Sequence, residues 1–291
     1  MFRKVWQDMK IVRFESVTGI TAPGIAENDT VISLESICSS FRSLFQLMID
    51  DKNIMRKMLD YGPRYSKKNI ILRAPIDQTT RIYAVAANYE KHASEMGVNL
   101  PEQPLIFNKL AQSMIGPDEE ILLPAYSEQV DYEGELAVVM GKEGFSIPRS
   151  DAMAFVGGYT CFNDITARDH QWTALGKHRI IDWFSSKMMD KSTPLGPWIV
   201  TAENIPDPHN LRLQTRVNER TVQDESTARM VFKIPALIEY ISSRVTLYPG
   251  DIIATGTPFG VGGYDKPIIL QQGDTMEVEI EKLGTLRNRC R

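Results

Sequence analysis

The sequence predicts a β-rich α+β protein, with a mixed β-sheet roll or sandwich as its main domain and a small domain at its N-terminus. From about residue 76 onward, apolar stretches are short and are separated by turns rich in Pro and Gly, which is typical of short strands. Few segments carry apolar residues at helical spacing. Strands that do not alternate with helices argue against a doubly wound fold.

Composition places the chain among ordinary globular proteins. Its 291 residues are 43% hydrophobic and 24% charged, and 33 Lys+Arg against 37 Asp+Glu give a net charge of −4. This balance lacks the basic excess that is typical of nucleic-acid-binding proteins. The sequence therefore predicts neither a nucleic-acid partner nor a disordered chain.

The same sequence predicts a cytoplasmic protein that does not enter a membrane. No apolar run approaches the roughly 20 residues that span a bilayer. The N-terminus lacks the apolar region of a signal peptide. The cysteines Cys38, Cys161 and Cys290 are scattered without metal or redox spacing, so we expect reduced thiols.

Residues 1–75 form the predicted small domain, and residues 76–291 the predicted catalytic domain. In the first, Ile11–Phe14 and Val31–Leu34 have the apolar character of strands, and apolar residues recur at helical spacing from Ser39 to Leu59. No residue pattern in this small domain indicates chemistry.

The catalytic domain is predicted as a succession of short strands with two short helical segments. Apolar or alternating stretches predict strands at Ile82–Ala87, Leu105–Phe107, Ile121–Pro124, Asp131–Met140, Val156–Asp164, Pro194–Val200, Leu211–Val217, Ile252–Ala254 and Met276–Ile280. Helical turns are expected around His92 and Glu95, and a helix from Pro235 to Ser243 begins with Pro. The irregular segment Thr173–Trp183 is interpreted as a mobile loop over a site, and Arg287–Arg291 as a solvated basic end.

Two glutamates occupy alternate positions at the start of the strand Asp131–Met140. Side chains two residues apart in a strand point to the same side, so Glu133 and Glu135 face one way. Two such charges beside an apolar strand repel, and a hard divalent cation relieves that repulsion. The plainer alternative is a pair of solvated glutamates on an edge strand. Asp131 shares their face and is expected to support the site or to be solvated.

Asp164, at the end of another predicted strand, is the candidate third ligand. It precedes a polar turn, where metal-binding carboxylates often lie. Three carboxylates would leave coordination positions open for water and for a chelating substrate.

His92 and Glu95 are three residues apart, so on a helical turn their side chains are neighbours. A carboxylate beside an imidazole raises its basicity and selects its tautomer, which suits a general base. A single histidine is otherwise more often a satisfied core or surface residue.

Two further features are candidates for substrate contact. Lys187 stands between apolar residues and is a candidate for stabilising a developing enolate, although a surface lysine with a buried stem is equally consistent with its position. The loop from Thr255 to Gly263 is rich in Gly and hydroxyl residues, and its N–H groups and Thr257 are candidates for holding a carboxylate. It lacks the lysine of a phosphate-binding loop.

Taken together, these stretches resemble the fumarylacetoacetate hydrolase superfamily over about residues 82 to 285. The matching pieces, in family order, are Asn88-Tyr89-x-x-His92-x-x-Glu95, Phe107-x-Lys109, Asp131-Tyr132-Glu133-Gly134-Glu135, Asn163-Asp164-x-Thr166-Ala167-Arg168-Asp169-x-Gln171, Lys187-x-x-Asp190 and Thr255-Gly256-Thr257-Pro258-x-Gly260-Val261-Gly262.

The resemblance implies a β-rich catalytic domain that forms a homodimer and binds Mg²⁺ or Mn²⁺ through Glu133, Glu135 and Asp164. It implies a His–Glu pair on a short lid helix, which matches His92 and Glu95. It implies that Lys187 is a third catalytic residue. The positions matched to the keto-acid binding site are Tyr89, Lys109, Arg168, Gln171 and Thr257.

We therefore predict a Mg²⁺-dependent hydrolase that cleaves a C–C bond in a small 2,4-diketo acid. Decarboxylation of an oxaloacetate-type 2-keto acid, and hydration or isomerisation of unsaturated 2-keto acids, are alternatives that use the same enolate. A metabolite-binding relative without catalysis is the alternative from another class. The expected partner is a small-molecule keto acid.

Overall fold

The computed structural model describes residues 9–50, 52–262 and 268–291. In this part of the chain the α-helices are α1 (Phe41–Asp50), α2 (Lys52–Tyr61), α3 (Glu90–Glu95), α4 (Trp183–Lys187) and α5 (Ile234–Ser242). The strands are β1 (Lys10–Ser16), β2 (Thr21–Glu27), β3 (Thr30–Ser33), β4 (Arg64–Ser66), β5 (Ile70–Arg73), β6 (Ile82–Ala86), β7 (Leu105–Lys109), β8 (Met114–Ile115), β9 (Glu120–Ile121), β10 (Val130–Asp131), β11 (Gly134–Met140), β12 (Val156–Asn163), β13 (Thr166–Ala167), β14 (Trp172–Leu175), β15 (His178–Ile181), β16 (Thr193–Thr201), β17 (Arg212–Val217), β18 (Arg220–Ser226), β19 (Ile252–Ala254), β20 (Thr275–Ile280) and β21 (Gly284–Cys290).

A mixed sheet of 12 strands forms the centre of the molecule. Its main path runs β4-β3-β2-β1-β16-β12-β11-β19-β6-β7, with β5 beside β1 and β8 beside β16. Most neighbours are antiparallel, while β19 with β6 and β16 with β8 are parallel. Strand β11 lies between β12 and β19, and all seven of its residues are buried. The predicted β-rich class with a mixed sheet is confirmed.

A second sheet packs against one face of the first. Its order is β18-β17-β20-β21-β9. Leu136 and Val138 of β11 belong to the same apolar core cluster as Leu213 of β17 and Val278 of β20. Two sheets that share a core in this way form a sandwich, and the start of β11 is held between them.

The strands of the first 75 residues continue the main sheet. Strand β1 runs antiparallel to β16, with Ile11 opposite Ile199. Phe41 and Leu44 of α1 belong to the same buried cluster as Ala137 of β11. The division into a small domain and a catalytic domain at residue 75 stays a prediction, and the hydrogen-bonded sheet crosses that boundary.

Two segments differ from the expectation. Most of Thr173–Trp183 belongs to a β-hairpin of β14 and β15, with Trp172 opposite Ile181, and Trp183 begins α4. Arg287–Cys290 belongs to strand β21, where residues alternate between buried and exposed; Asn288 is buried and donates to the carbonyls of Gly116 and Glu119. The basic side chains hid this alternation, because the outward positions of β21 carry arginines. Within the described residues no helix has the length and apolar character needed to cross a membrane.

We predict that Gly158 is required for the close approach of β12 to β16. A methyl group on its Cα would lie 2.5 Å from the carbonyl oxygen of Val200. Because backbone would have to move, Gly158→Ala should lower the free energy of unfolding by about 1–3 kcal/mol. Chemical denaturation measures this. Gly176→Asn is the control, since Gly176 has φ +61° with no atom within 4 Å of an added Cβ, and Asn tolerates that backbone. Equal stability of Gly158→Ala and the unmodified protein would contradict the prediction.

Candidate active site

The pairing of β11 with β12 brings the three predicted metal ligands together. Gly134 is opposite Asn163, so Glu133 comes to lie beside Asp164, whose N–H donates to the Glu133 carbonyl at 2.9 Å. The Glu133 N–H donates to the Asn163 side chain at 3.0 Å. Glu133, Glu135 and Asp164 are buried, and one ligand oxygen from each lies within 4.8 Å of the others. This spacing lets the three carboxylates face one ion.

Three cations lie against the cluster: Lys187, Arg168 and Lys109, whose ammonium is 2.8 Å from Asp164. The Lys187 ammonium donates to Glu133 at 2.8 Å, to Asp164 at 2.7 Å and to the Thr166 hydroxyl at 2.6 Å. Arg168 donates to the other Glu133 oxygen. Burial by itself would raise the pKa of Glu133, but Lys187 and Arg168 outweigh it and lower that pKa to about 2. Burial opposes charge on Lys187 too, yet Asp164 and Glu133 raise its pKa.

Glu135 is the carboxylate of the cluster that these cations leave least compensated. It accepts one backbone hydrogen bond, from Gly256 N–H at 2.8 Å. Burial, and then the charges of Asp164 and Glu133, raise its pKa well above the ordinary value. A buried carboxylate that no cation contacts directly is destabilising unless a metal ion or a proton joins it.

The donor set fits a divalent metal. All three candidate ligands are carboxylates, which Mg²⁺ and Mn²⁺ prefer. Asp164 also has a fully buried oxygen, Oδ1, that makes no hydrogen bond, although the Lys109 ammonium lies 2.8 Å from it. A buried acceptor without an aligned donor is a suitable ligand atom. Glu133, Glu135 and Asp164 would therefore hold the metal.

The His–Glu pair is on helix α3. His92 Nδ1 lies 3.2 Å from a Glu95 oxygen, and Glu95 also accepts from the Gly260 N–H at 3.1 Å. His92 is buried. The pair is thus tied to the loop that follows β19, and the ring nitrogen Nε2 is left for chemistry.

One cavity of about 150 Å³ joins these groups. Five of the predicted site residues line it: His92, Glu133, Gln171, Lys187 and Thr257. The Thr257 hydroxyl donates to the Gly134 carbonyl at 2.9 Å, so it also connects the loop to the start of β11. Gly263, which the predicted loop included, lies outside the described residues.

The other predicted substrate contacts lie behind the cavity wall. Lys109 is buried against Asp164, and its ammonium donates to the carbonyls of Ile165 and Ser192. Arg168 joins Asp131 to Glu133. The Tyr89 hydroxyl is buried without a hydrogen-bond partner. The role of these three residues in binding substrate stays a prediction. Lys109 and Arg168 contact the carboxylate cluster directly.

Asp131 is fully buried. Of the two possibilities that the sequence left open, the solvated one is therefore wrong. The Asp131 carboxylate accepts from Arg168 Nε and from the Gly262 N–H, both at 2.7 Å. These bonds orient the guanidinium that neutralises Glu133. Asp131 therefore supports the site from behind the cavity.

Sequence reasoning missed Gln223 on strand β18. Its amide donates to the Thr257 hydroxyl and to the Pro258 carbonyl, both at 2.8 Å, and its oxygen accepts from the Gly134 N–H at 3.0 Å. A polar residue in an unassigned strand carries no sequence signal. The contact joins the second sheet to the segment that carries both glutamates.

We predict that Glu135→Gln stabilises the metal-free protein and reduces the stabilisation that added metal gives. Removing one of three like charges should raise the melting temperature of the metal-free protein, since Gln still accepts the Gly256 N–H. Mg²⁺ or Mn²⁺ at about 100 times its Kd should stabilise the unmodified protein by about 2.7 kcal/mol, and the variant far less.

Thermal denaturation with and without metal tests this. Glu143→Gln is the matched control, because Glu143 is exposed and should keep the metal-induced shift. Equal metal-induced shifts in Glu135→Gln and Glu143→Gln would show that Glu135 is not a ligand.

Comparison with known proteins shows the family to which the chain belongs. The model of the fumarylacetoacetate hydrolase C-terminal family matches residues 81–291. The human protein named oxaloacetate tautomerase FAHD2A, mitochondrial, is 44% identical over 228 residues, which are 78% of this chain and 71% of that protein.

Solved structures align over almost the whole chain. Fumarylacetoacetate hydrolase from Exiguobacterium antarcticum is 34% identical, with 97% of this chain and 99% of that chain covered and a TM-score of 0.82. Maleylpyruvate hydrolase from Sphingobium, in complex with manganese(II) and pyruvate, is 27% identical, with 97% and 98% covered and a TM-score of 0.81. The chain belongs to the fumarylacetoacetate hydrolase family of enzymes.

Proposed function

We propose that the protein is a Mg²⁺- or Mn²⁺-dependent enzyme that forms or consumes the enol of a small 2-keto acid. The observation that carries this is a single cavity lined both by His92, which is paired with Glu95, and by Glu133 of the carboxylate cluster. The metal would polarise the keto oxygen of the substrate and stabilise enolate charge. A base and an electrophilic centre on opposite sides of one ligand are what enolisation needs.

His92 is placed to move the proton. With Nδ1–H donated to Glu95, the neutral imidazole keeps Nε2 as the acceptor. Nε2 would take a proton from the carbon beside the keto group, and the imidazolium so formed would return a proton to the enolate oxygen, which leaves His92 neutral again. Lys187 holds Glu133 and Asp164 in place and offers positive charge beside the developing enolate.

Keto–enol tautomerisation of an oxaloacetate-type acid is the first candidate reaction. It is favoured by the 44% identical human relative, which is named as an oxaloacetate tautomerase. The reaction needs only the proton transfer described for His92 and no attacking water.

Hydrolysis of a C–C bond in a 2,4-diketo acid is the second candidate, and the likeness to maleylpyruvate hydrolase with bound pyruvate favours it. Here His92 would take a proton from water, whose oxygen attacks the distal carbonyl. The bond from that carbonyl to the methylene breaks, which releases a carboxylic acid and the enolate of pyruvate, and the enolate carbon is then protonated. Decarboxylation of oxaloacetate would form the same enolate with loss of CO₂.

We also propose that the protein forms a homodimer, that it is located in the cytoplasm, and that it uses Mg²⁺ in preference to Mn²⁺. The names of several relatives include the word mitochondrial. Light scattering of the purified protein measures the oligomeric state, and metal analysis after purification without added metal measures the ion.

We predict that His92→Ala lowers kcat by about 10²–10⁴-fold with oxaloacetate enol and with acetylpyruvate, because the general base is lost. Glu95→Gln should lower kcat by about tenfold, since the tautomer of His92 is then no longer held by a charge. Enol absorbance and pyruvate release measure the two reactions.

His178→Ala is the control, because His178 is exposed on the β14–β15 hairpin and should keep full activity. Turnover by His92→Ala at the rate of the control would overturn the assignment of the base. Absence of metal-dependent turnover with every keto acid in the unmodified protein would overturn the proposed function.

A further inference from the structure

Glu133 and Lys187 bring the carboxylate cluster to the wall of the cavity, and most of the other residues that line it are apolar. Five of these apolar residues are Leu105 and Phe107 on β7, Trp172 and Ile181 in the β14–β15 hairpin, and Trp183 on α4. We call these five residues the apolar end. Lys109, which follows Phe107 on β7, lies behind the cavity wall and does not line it.

Phe107 of β7 and Trp183 of α4 stack on each other, with ring centroids 4.3 Å apart and planes at 3°. The Lys187 ammonium lies 5.6 Å from the Phe107 ring. The stacked pair forms a wall just beyond the cations of the carboxylate cluster.

The other three residues of the apolar end lie on β7 and in the hairpin. Leu105 comes two residues before Phe107 and shares its face of β7, and Trp172 lies opposite Ile181 in the hairpin. All of these residues line the cavity. Such a surface stabilises an apolar group and rejects an unpaired charge.

A second carboxylate at this end would meet no uncommitted cationic side chain among the described lining residues, of which Asn99 is a neutral donor. Lys187 is the single Lys or Arg among the described residues that line the cavity, and its three protons are already donated to Glu133, Asp164 and Thr166. Arg179 is the alternative partner, since its guanidinium lies 5.5 Å from the Trp172 ring, but it is exposed and outside the lining.

We propose that the protein prefers 2-keto acids whose distal group is apolar, either aromatic or a short alkyl chain, over those that end in a second carboxylate. This rests on the proposed function and names the substrate class of the same site: the proposed reaction is kept, and a 2-keto acid with an apolar distal group replaces oxaloacetate as the preferred substrate. Phe107 and Trp183 set the preference, and Leu105 contacts the far end of the distal group.

The first test compares matched substrates with Mg²⁺. For proton transfer the pair is phenylpyruvate and oxaloacetate, and for hydrolysis it is benzoylpyruvate and fumarylpyruvate. Each buried methylene is worth about fourfold, so we expect kcat/KM to be at least about tenfold higher for the aromatic member. A higher kcat/KM for the carboxylate-ended member overturns the inference and leaves the proposed function standing.

Variants then locate the preference. Trp183→Ala should lower the ratio of the two kcat/KM values by about tenfold or more, and Leu105→Arg should shift it toward the carboxylate-ended substrate. Phe184→Ala is the matched control on the same helix, since Phe184 is 71% exposed and outside the lining. The ratio is internal to each variant, so partial loss of folded protein does not affect it. A selective loss of oxaloacetate turnover in Arg179→Gln would overturn the inference.

Binding separates this inference from the proposed function. Intrinsic tryptophan fluorescence of His92→Ala with Mg²⁺ gives the Kd of phenylpyruvate and of oxaloacetate without turnover. Tighter binding of phenylpyruvate than of oxaloacetate supports the proposed preference. If the unmodified protein turned over neither acid, that result would count against the proposed reaction alone. Tighter binding of oxaloacetate, or binding of neither, overturns the inference.

Discussion

The structure depends on holding three buried carboxylates side by side. Glu133, Glu135 and Asp164 lie within reach of one ion, away from water, and their mutual repulsion disfavours the folded state. Lys187, Arg168 and Lys109 offset part of it, and they do so unequally, because the contacts described join them to Glu133 or Asp164 and none of them to Glu135. The remaining imbalance is what a divalent cation would correct.

The architecture explains why the repulsion does not pull the cluster apart. The glutamates flank Gly134, whose N–H and carbonyl are bound by Gln223 and Thr257. Asp164 is bonded through its backbone to Glu133. Two sheets and the loop after β19 therefore converge on one short segment. A site formed from rigid strands in this way keeps its ligands in position before the metal and substrate arrive.

The proposed function and the proposed preference assign two tasks to different parts of the cavity lining. In the proposed function the residues at the carboxylate cluster serve the reaction, since every candidate reaction passes through an enol or enolate. In the proposed preference the apolar end serves selection, because its residues contribute contact area and no charge. Separation of this kind lets selectivity change through residues such as Trp183 while the carboxylate cluster stays intact.

Much of the site could be read from residue types and spacing. Alternation placed Glu133 and Glu135 on one face, and the three-residue spacing paired His92 with Glu95; both are local properties of a strand and a helical turn. Eight of the twelve strands of the main sheet were predicted for the same reason, while β2, β4, β5 and β8 were not among the predicted strands. Strand β21 escaped detection because its outward arginines masked a period-two pattern, and Gln223 escaped because nothing nearby in sequence marks its partners.

By itself, then, the amino-acid order determined the element types, the acidic and basic candidates and the family resemblance, because these depend on neighbours along the chain. Only the tertiary structure decided which cation meets which carboxylate, that Asp131 is buried, and that one end of the cavity is apolar. Those features depend on the register of β11 with β12 and on packing between residues far apart in sequence. Such contacts are set when the sheets close on each other, which local patterns do not encode.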